Sequence, residues 1–325
     1  MKNITVLVSA TAVGLAMTTA AFAEKWDMPM AYSASNFHSQ NGAEFAKCVT
    51  DKTGGGLEIV THPGGSLFKG GEIKRAIQTG DVSIGERLLS AHANENPVFG
   101  VDSVPFLATS FDDSVKLFNA AKGELEKALD EQNLKLLYSV PWPPQGLYFK
   151  KEVNSVADMK GVKFRAYNAA TSRFAELAGM QPTQIEAAEI QQAFSTNAVE
   201  SMVSSGATGF DRKVFDADVT NFYEVDSWLP RNTVMVNKDA YAKLDDSQKA
   251  ALTSCGTEAQ ARGLQQSKDY TQFTYDGLRK GGMTVEPASD GLKAELQAIG
   301  VTMTNEWLDA AGDTGKSIVD TFKAN

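Results

Sequence analysis

Gly161-Val162-Lys163-Phe164-Arg165-Ala166-Tyr167-Asn168 decides how the rest of the chain is read. Lys160 and Gly161 form a turn, Val162 and Phe164 alternate as in a half-buried strand, and Ala169 to Leu177 follows a helical period. A guanidinium where a strand hands over to a helix presents a planar fork of donors to an anion that also meets the amides of the helix start. Arg165 is therefore a candidate carboxylate clamp, with Tyr167 and Asn168 beside it. The plain alternative is a surface arginine at a strand end.

Working outward toward the amino end, the same alternation repeats. Lys25 to Tyr32 reads as a strand, Ser33 to Asn36 as a loop, and the following helix ends at Lys52, where Gly54 can adopt the left-handed conformation. Leu57 to Val60 is a second strand, broken by Pro63-Gly64-Gly65; a helix spans Glu72 to Gln78, stopped by Gly80, and Val82 to Gly85 is a third strand. This β-α-β-α-β order predicts a parallel open sheet. Its crevice lies at the carboxyl ends of the strands, where Asn36, Phe37, His38, Glu86 and Arg87 fall. After a helix at Asp112 to Asp130 and a strand at Leu134 to Val140, Pro141-Trp142-Pro143-Pro144-Gln145-Gly146 interrupts the pattern and predicts a crossing between domains.

Toward the carboxyl end, a second α/β set is predicted. It runs through Val162 to Ala166, helices from Ala169 and over Ala187 to Thr196, and a strand at Val199 to Val203. Thr233 to Val236 reads as a returning strand, and Gln248 to Leu278 as a long helix without proline. Two α/β lobes crossed more than once make a hinged clam.

The chain's first residues bear on location. Lys2, the apolar run Ile4 to Met17 and Ala21-Phe22-Ala23 match a cleaved export signal, so residues 1–23 are expected to leave and the mature chain to be a soluble one without membrane insertion. Forty acidic residues against 31 basic ones give a net charge of −9, one unit more negative once Lys2 is removed. That balance argues against a nucleic-acid partner. The length suits two domains of about 150 residues. Cys48 and Cys255, both on predicted helices in an exported chain, are either a disulfide or two buried thiols.

Enzyme signatures fail on inspection. Gly65 to Gly70 has phosphate-loop spacing, yet Gly71 stands where the lysine belongs. Ser66-Leu67-Phe68-Lys69 and Lys52-Thr53-Gly54 match two boxes of the penicillin-binding enzymes in the wrong order, and the middle box is missing. His38, His62 and His92 are far apart, there is no HExxH segment or paired-cysteine spacing, and no GxSxG elbow, so neither a metal nor a cofactor is expected. What remains suits binding. Trp142, Tyr148, Tyr167 and Phe37 are candidate aromatic walls of a cleft or simply core residues, and Gln145 shares the crossing with Trp142. His38 and Glu86 are candidate contacts, against a solvated cap residue and a surface pair. Ser204-Ser205-Gly206-Ala207-Thr208-Gly209, following a strand, offers Ser204, Ser205 and Thr208 as a second anion cradle, or an ordinary turn.

With those pieces in order, the chain resembles the extracytoplasmic solute receptors of tripartite ATP-independent periplasmic (TRAP) transporters, the C4-dicarboxylate-receptor-like family. The likeness rests on Thr53-Gly54-Gly55, Pro63-Gly64-Gly65-Ser66-Leu67, Val104-Pro105-Phe106-Leu107, Asp158-Met159-Lys160-Gly161-Val162-Lys163-Phe164-Arg165, Gly179-Met180-Gln181-Pro182-Thr183 and the helix containing Glu189. It implies an α/β, type II-like periplasmic clam with hinge strands and a long helix bridging the lobes. Lobe I would comprise 24–143 and 232–268, lobe II 144–231 and 269–325, with both cysteines on lobe I. It also implies a periplasmic monomer that carries an organic acid to a membrane permease driven by an ion gradient, with Arg165 holding the carboxylate and no catalysis.

Two departures bear on the ligand. Where relatives carry a second arginine in a Gly-Phe-Arg pattern, this chain has Gly146-Leu147-Tyr148, and the usual asparagine contact falls on Ser204 in Ser201-Met202-Val203-Ser204-Ser205. One cationic anchor points to a monocarboxylate, aromatic or a keto or hydroxy acid, over a C4-dicarboxylate or sugar acid. A receptor for an ABC importer, and a secreted enzyme using Glu86 or Glu200 as acid or base, are the competing readings.

Overall fold

A computed structural model describes residues 24–324, so the expected export signal lies outside the described residues. The chain runs β1 (Glu24–Pro29), α1 (Phe37–Lys52), β2 (Leu57–His62), α2 (Ile73–Thr79), β3 (Ile84–Leu88), α3 (Phe111–Asp130) and β4 (Leu134–Pro141). It crosses to β5 (Gln145–Phe149), β6 (Lys163–Ala166), α4 (Ala169–Leu177), β7 (Gln181–Gln184), α5 (Ile190–Ser195), β8 (Ser201–Ser205), α6 (Gly206–Asp211) and β9 (Asn221–Glu224). It returns through β10 (Arg231–Asn237), α7 (Lys238–Lys243) and α8 (Asp246–Lys280), and ends in β11 (Thr284–Pro287) and α9 (Asp290–Ala324).

Lobe I holds β1 paired parallel with β2, and β10 between β3 and β4; a parallel bridge from Met30 to Glu86 links the two ladders. The parallel order expected of β1, β2 and β3 holds, and the sheet becomes mixed because β10 arrives from the other lobe and runs antiparallel to β3 and β4. Lobe II is a six-stranded sheet in the order β11-β9-β5-β8-β6-β7, with β6 parallel to β7 and β8. Each lobe carries its own apolar cores, Phe45, Val49, Leu252 and Ala259 being fully enclosed in lobe I and Phe149, Phe164, Phe174 and Val203 in lobe II.

The two crossings pair with each other. Trp142 N donates to Pro230 O at 2.8 Å, Gln145 N to Trp228 O at 3.0 Å, and Ser227 N to Gln145 O at 3.0 Å. Pro141 does not interrupt the ladder as expected; it closes β4 opposite Arg231, a strand end where a missing N–H costs nothing. Gly146 lies so close to β9 that a Cβ would meet Tyr223 O and the Phe222 ring at 2.5 Å, so this hinge position excludes a side chain.

Helix α8 makes the third connection. Its 35 residues start at a capping box formed by Asp245 and Gln248, and at 1.5 Å per residue it is about 50 Å long, enough to reach across both lobes. Cys255 and Ala259 lie in the lobe I core, while Tyr275 and Leu278 lie in a lobe II core. The stretch 269–325 was expected in lobe II. Leu292, Leu296 and Met303 of α9 do pack there, but Trp307, before a break at Gly312, and Ile318 and Phe322, after it, pack on lobe I. Among the described residues no helix is long and apolar enough to cross a membrane.

Candidate functional site

Between the lobes lies a cavity partly open to solvent, lined by residues of both lobes. Arg165 enters it from β6, flanked by Thr183 on β7 and Met202 on β8. The side chain is 3 % exposed, and its Nε donates to Ile185 O at 2.9 Å. Among the described residues no hydrogen bond engages its two Nη atoms, which leaves that end of the fork to the cavity. The guanidinium carbon stands 5.2 Å from the centroid of the Tyr167 ring. Burial lowers its pKa to about 10, which still leaves it charged at neutral pH.

Aromatic and amide groups make the walls. Tyr167 Oη donates to Gln145 Oε1 at 3.3 Å and accepts from Trp228 Nε1 at 2.9 Å; Gln145 Nε2 donates to Pro143 O at 3.1 Å. Trp142 Nε1 donates to Asn232 Oδ1 at 2.8 Å, and Tyr32 sits edge-on to Trp142 at 4.7 Å. Burial pushes the Tyr32 hydroxyl up to about 12, so it remains a donor. Hinge residues thus form the floor of the cavity.

Of the twelve ligand contacts expected from the sequence, Arg165, Trp142, Gln145, Tyr167, Ser204 and Thr208 line the cavity. The structure places the other six behind its wall. Phe37 meets Trp142 edge-on at 5.5 Å and His38 meets it at a tilt at 4.4 Å, within the lobe I core rather than in solvent. His38 is fully buried, neither ring nitrogen has a hydrogen-bond partner among the described residues, and burial with nearby Arg231 holds its pKa well below the usual value. Glu86 is buried, accepts from Asn232 Nδ2 at 3.0 Å, and is pushed up to about 7 by burial against the opposing effect of that bond. It is no surface pair.

Tyr148 turns away to donate to Ser205 O at 2.8 Å and packs on Phe222. Asn168 caps α4 by accepting from Thr171 N at 2.8 Å, and donates across the cleft to Ser90 Oγ at 3.1 Å. One amide of the helix start beside Arg165, that of Thr171, is thereby taken by the helix's own cap. Ser205 likewise caps α6, whose six residues replace the expected loop cradle; its Oγ accepts from Thr208 N at 3.4 Å.

Tyr32, Leu88, Glu186, Ala187 and Pro230 also line the cavity without having been expected there, and so does Arg87, which the sequence placed at the crevice without assigning it a contact. The important one is Arg87. A second guanidinium, absent from the Gly146-Leu147-Tyr148 strand, stands in the cavity wall from β3. Its Nη2 donates to Glu186 Oε1 at 3.3 Å, a contact from lobe I to lobe II. Strand geometry held a clue: neighbours point to opposite faces, so Glu86 and Arg87 could not both face the cleft. Ile84-Gly85-Glu86-Arg87-Leu88 has no alternation that says which one does. Glu186 follows the carboxyl end of β7, whose sequence Gln181-Pro182-Thr183-Gln184 lacks the apolar alternation of a strand.

A hinged pair of α/β lobes enclosing an arginine-bearing cleft defines a two-lobed solute receptor. The chain belongs to the bacterial extracellular solute-binding proteins of family 7, the DctP family, whose model matches residues 30–309. It is similar to a marine metagenome TRAP solute-binding protein described as specific for pyroglutamate, at 51 % identity and a TM-score of 0.92, covering 94 % of this chain and 100 % of that one. An extracytoplasmic solute receptor of Bordetella pertussis, described as binding pyroglutamic acid, is 43 % identical with a TM-score of 0.91, over 93 % of this chain and 100 % of its own. A monocarboxylate 2-oxoacid-binding periplasmic protein of Nostoc is 25 % identical over 87 % of this chain and 79 % of its own length.

Proposed function

We propose that this chain is the periplasmic receptor of a TRAP transporter for a small cyclic monocarboxylate, pyroglutamate being the leading ligand, which it delivers to a membrane permease without chemical change. The observation that carries the reading is the charge of the cleft. Its charged lining residues are Arg87, Arg165 and Glu186, one positive unit in balance. One ligand carboxylate neutralises that unit, whereas a second would be enclosed without a cation of its own. The two receptors above that share 43–51 % identity bind pyroglutamate.

Closure brings Arg165 to the carboxylate while Trp142, Tyr32 and Tyr167 exclude water, and the closed form is the one the permease would receive. Calorimetry on the purified chain with pyroglutamate, 2-oxo monocarboxylates, succinate and malate is the test. Pyroglutamate is expected to bind most tightly. Tighter binding of either dicarboxylate would replace this reading with that of a dicarboxylate receptor.

A further inference from the structure

We propose that Arg87 and Glu186 together read the amide edge of a lactam ring, Arg87 donating to the ring carbonyl and Glu186 accepting the ring N–H. The inference rests on the proposed ligand class and goes beyond it, because it assigns what discriminates among monocarboxylates of one shape.

Four observations converge on the pair. Both side chains line the cavity that holds Arg165. They come from opposite lobes, Arg87 from β3 and Glu186 from the segment after β7, and meet at 3.3 Å. Arg87 is buried, and among the described residues its guanidinium makes one side-chain hydrogen bond, from Nη2 to Glu186, so Nη1 keeps donor capacity, while the unpartnered Nε is sealed behind it. The pair is also held from behind. A Cβ on Gly70 would stand 2.7 Å from Arg87 Nη1 and 3.1 Å from Glu186 Oε2, so the glycine backbone packs directly on both.

The chemistry of a lactam matches that arrangement. A five-membered ring forces its amide cis, which puts N–H and C=O side by side on one edge instead of on opposite sides as in a trans peptide. A guanidinium beside a carboxylate displays a donor next to an acceptor, the complementary pattern. A lactone or a 2-oxo acid shows only acceptors there, so the Glu186 carboxylate would face an oxygen, and sites built for an N–H reject analogues that lack it. Because the two residues belong to different lobes, the donor and acceptor adjoin only in the closed form. Reading the ring and closing the cleft are therefore one event.

Calorimetry with pyroglutamate and its lactone analogue, in which oxygen replaces the ring N–H, tests this on the full mature chain. The wild-type protein is expected to prefer the lactam by about tenfold or more, the effect of one hydrogen bond to a charged group. Glu186→Ala is expected to bring the ratio near one by weakening the lactam alone, and Glu186→Gln, which keeps an acceptor oxygen, to retain part of the preference. Glu186 is half exposed, so both variants are expected to fold, with circular dichroism as the check. Equal weakening of both rings in Glu186→Ala would reduce the pair to a closure contact and overturn the proposal, as would an unchanged ratio. A wild-type protein that binds neither ring would overturn the functional reading as well, whereas binding of both without discrimination would sink this inference alone.

Discussion

Arg165 and Glu86 show how burial does opposite things to two charges. Arg165 stays cationic with part of its fork directed to the cavity, so Arg165→Lys keeps the charge and loses the bidentate geometry. That variant is expected to bind its acid at least about tenfold more weakly, with a melting temperature close to wild type, by calorimetry and thermal denaturation. Glu86 is an acid whose pKa rises on folding, from 4.5 to about 7, so the folded chain holds a proton that the unfolded chain releases. Its contribution therefore falls as pH rises from about 4.5 to about 7 and is flat on either side. His38 and His92 act in the other sense, their pKa values lowered by burial, so they add stability as pH rises toward 6.5. The difference between wild type and Glu86→Gln isolates the glutamate. Urea melts across pH 4 to 8 are expected to show wild type losing ground to the variant over that window, and a pH-independent difference would show that Glu86 does not titrate there.

At the scale of elements, the first helix and the long helix are joined covalently. Cys48 on α1 and Cys255 on α8 form a disulfide across 207 residues of sequence, with Cα atoms 5.9 Å apart. The two open readings of the cysteines thus close on the bridge. A loop of that length gives a chain-entropy stabilisation of about 5 kcal/mol as an upper figure, far above the 0–1 kcal/mol of an exposed ion pair such as Lys52 with Glu258 between the same helices. Both cysteines pack in the lobe I core, on one side of the hinge. Cys48→Ala with Cys255→Ala is accordingly expected to lower the melting temperature by several degrees and leave ligand affinity within about twofold. A large loss of affinity would mean that the bridge shapes the cleft.

On the scale of the whole molecule, the lobes meet through a few polar contacts around the cleft. Asn36 Nδ2 donates to Asp211 Oδ2 at 2.8 Å, Asn168 Nδ2 to Ser90 Oγ at 3.1 Å, and Arg87 Nη2 to Glu186 Oε1 at 3.3 Å. Few such bonds connect two bodies that each have their own core, so opening breaks little and ligand tips the balance. Adding ligand is expected to reduce the radius of gyration in solution scattering and to shift tryptophan fluorescence. Trp142→Phe is expected to remove much of the optical change and keep the compaction, since the signal belongs to one ring and the motion to the paired crossings. Superimposable scattering curves with and without a ligand known to bind would instead favour a rigid pocket.

Much of this was legible in the sequence. The α/β alternation, the crossing near Trp142, the long unbroken helix and the arginine ending a short strand are local patterns, fixed by side-chain period and by Pro and Gly. The repeated crossing already pointed to a hinged clam, and the family likeness added the hinge strands and the long helix that bridges the lobes. What the sequence did not show was which neighbours on a strand face the cleft, because Glu86 and Arg87 sit in a strand buried on both sides, where alternation carries no signal. Nor could it show that Phe37, His38 and Tyr148 turn into cores, or that Arg87 meets Glu186 across 99 residues. Such long-range meetings depend on how two sheets are set about a hinge, and only the packed tertiary structure decides that.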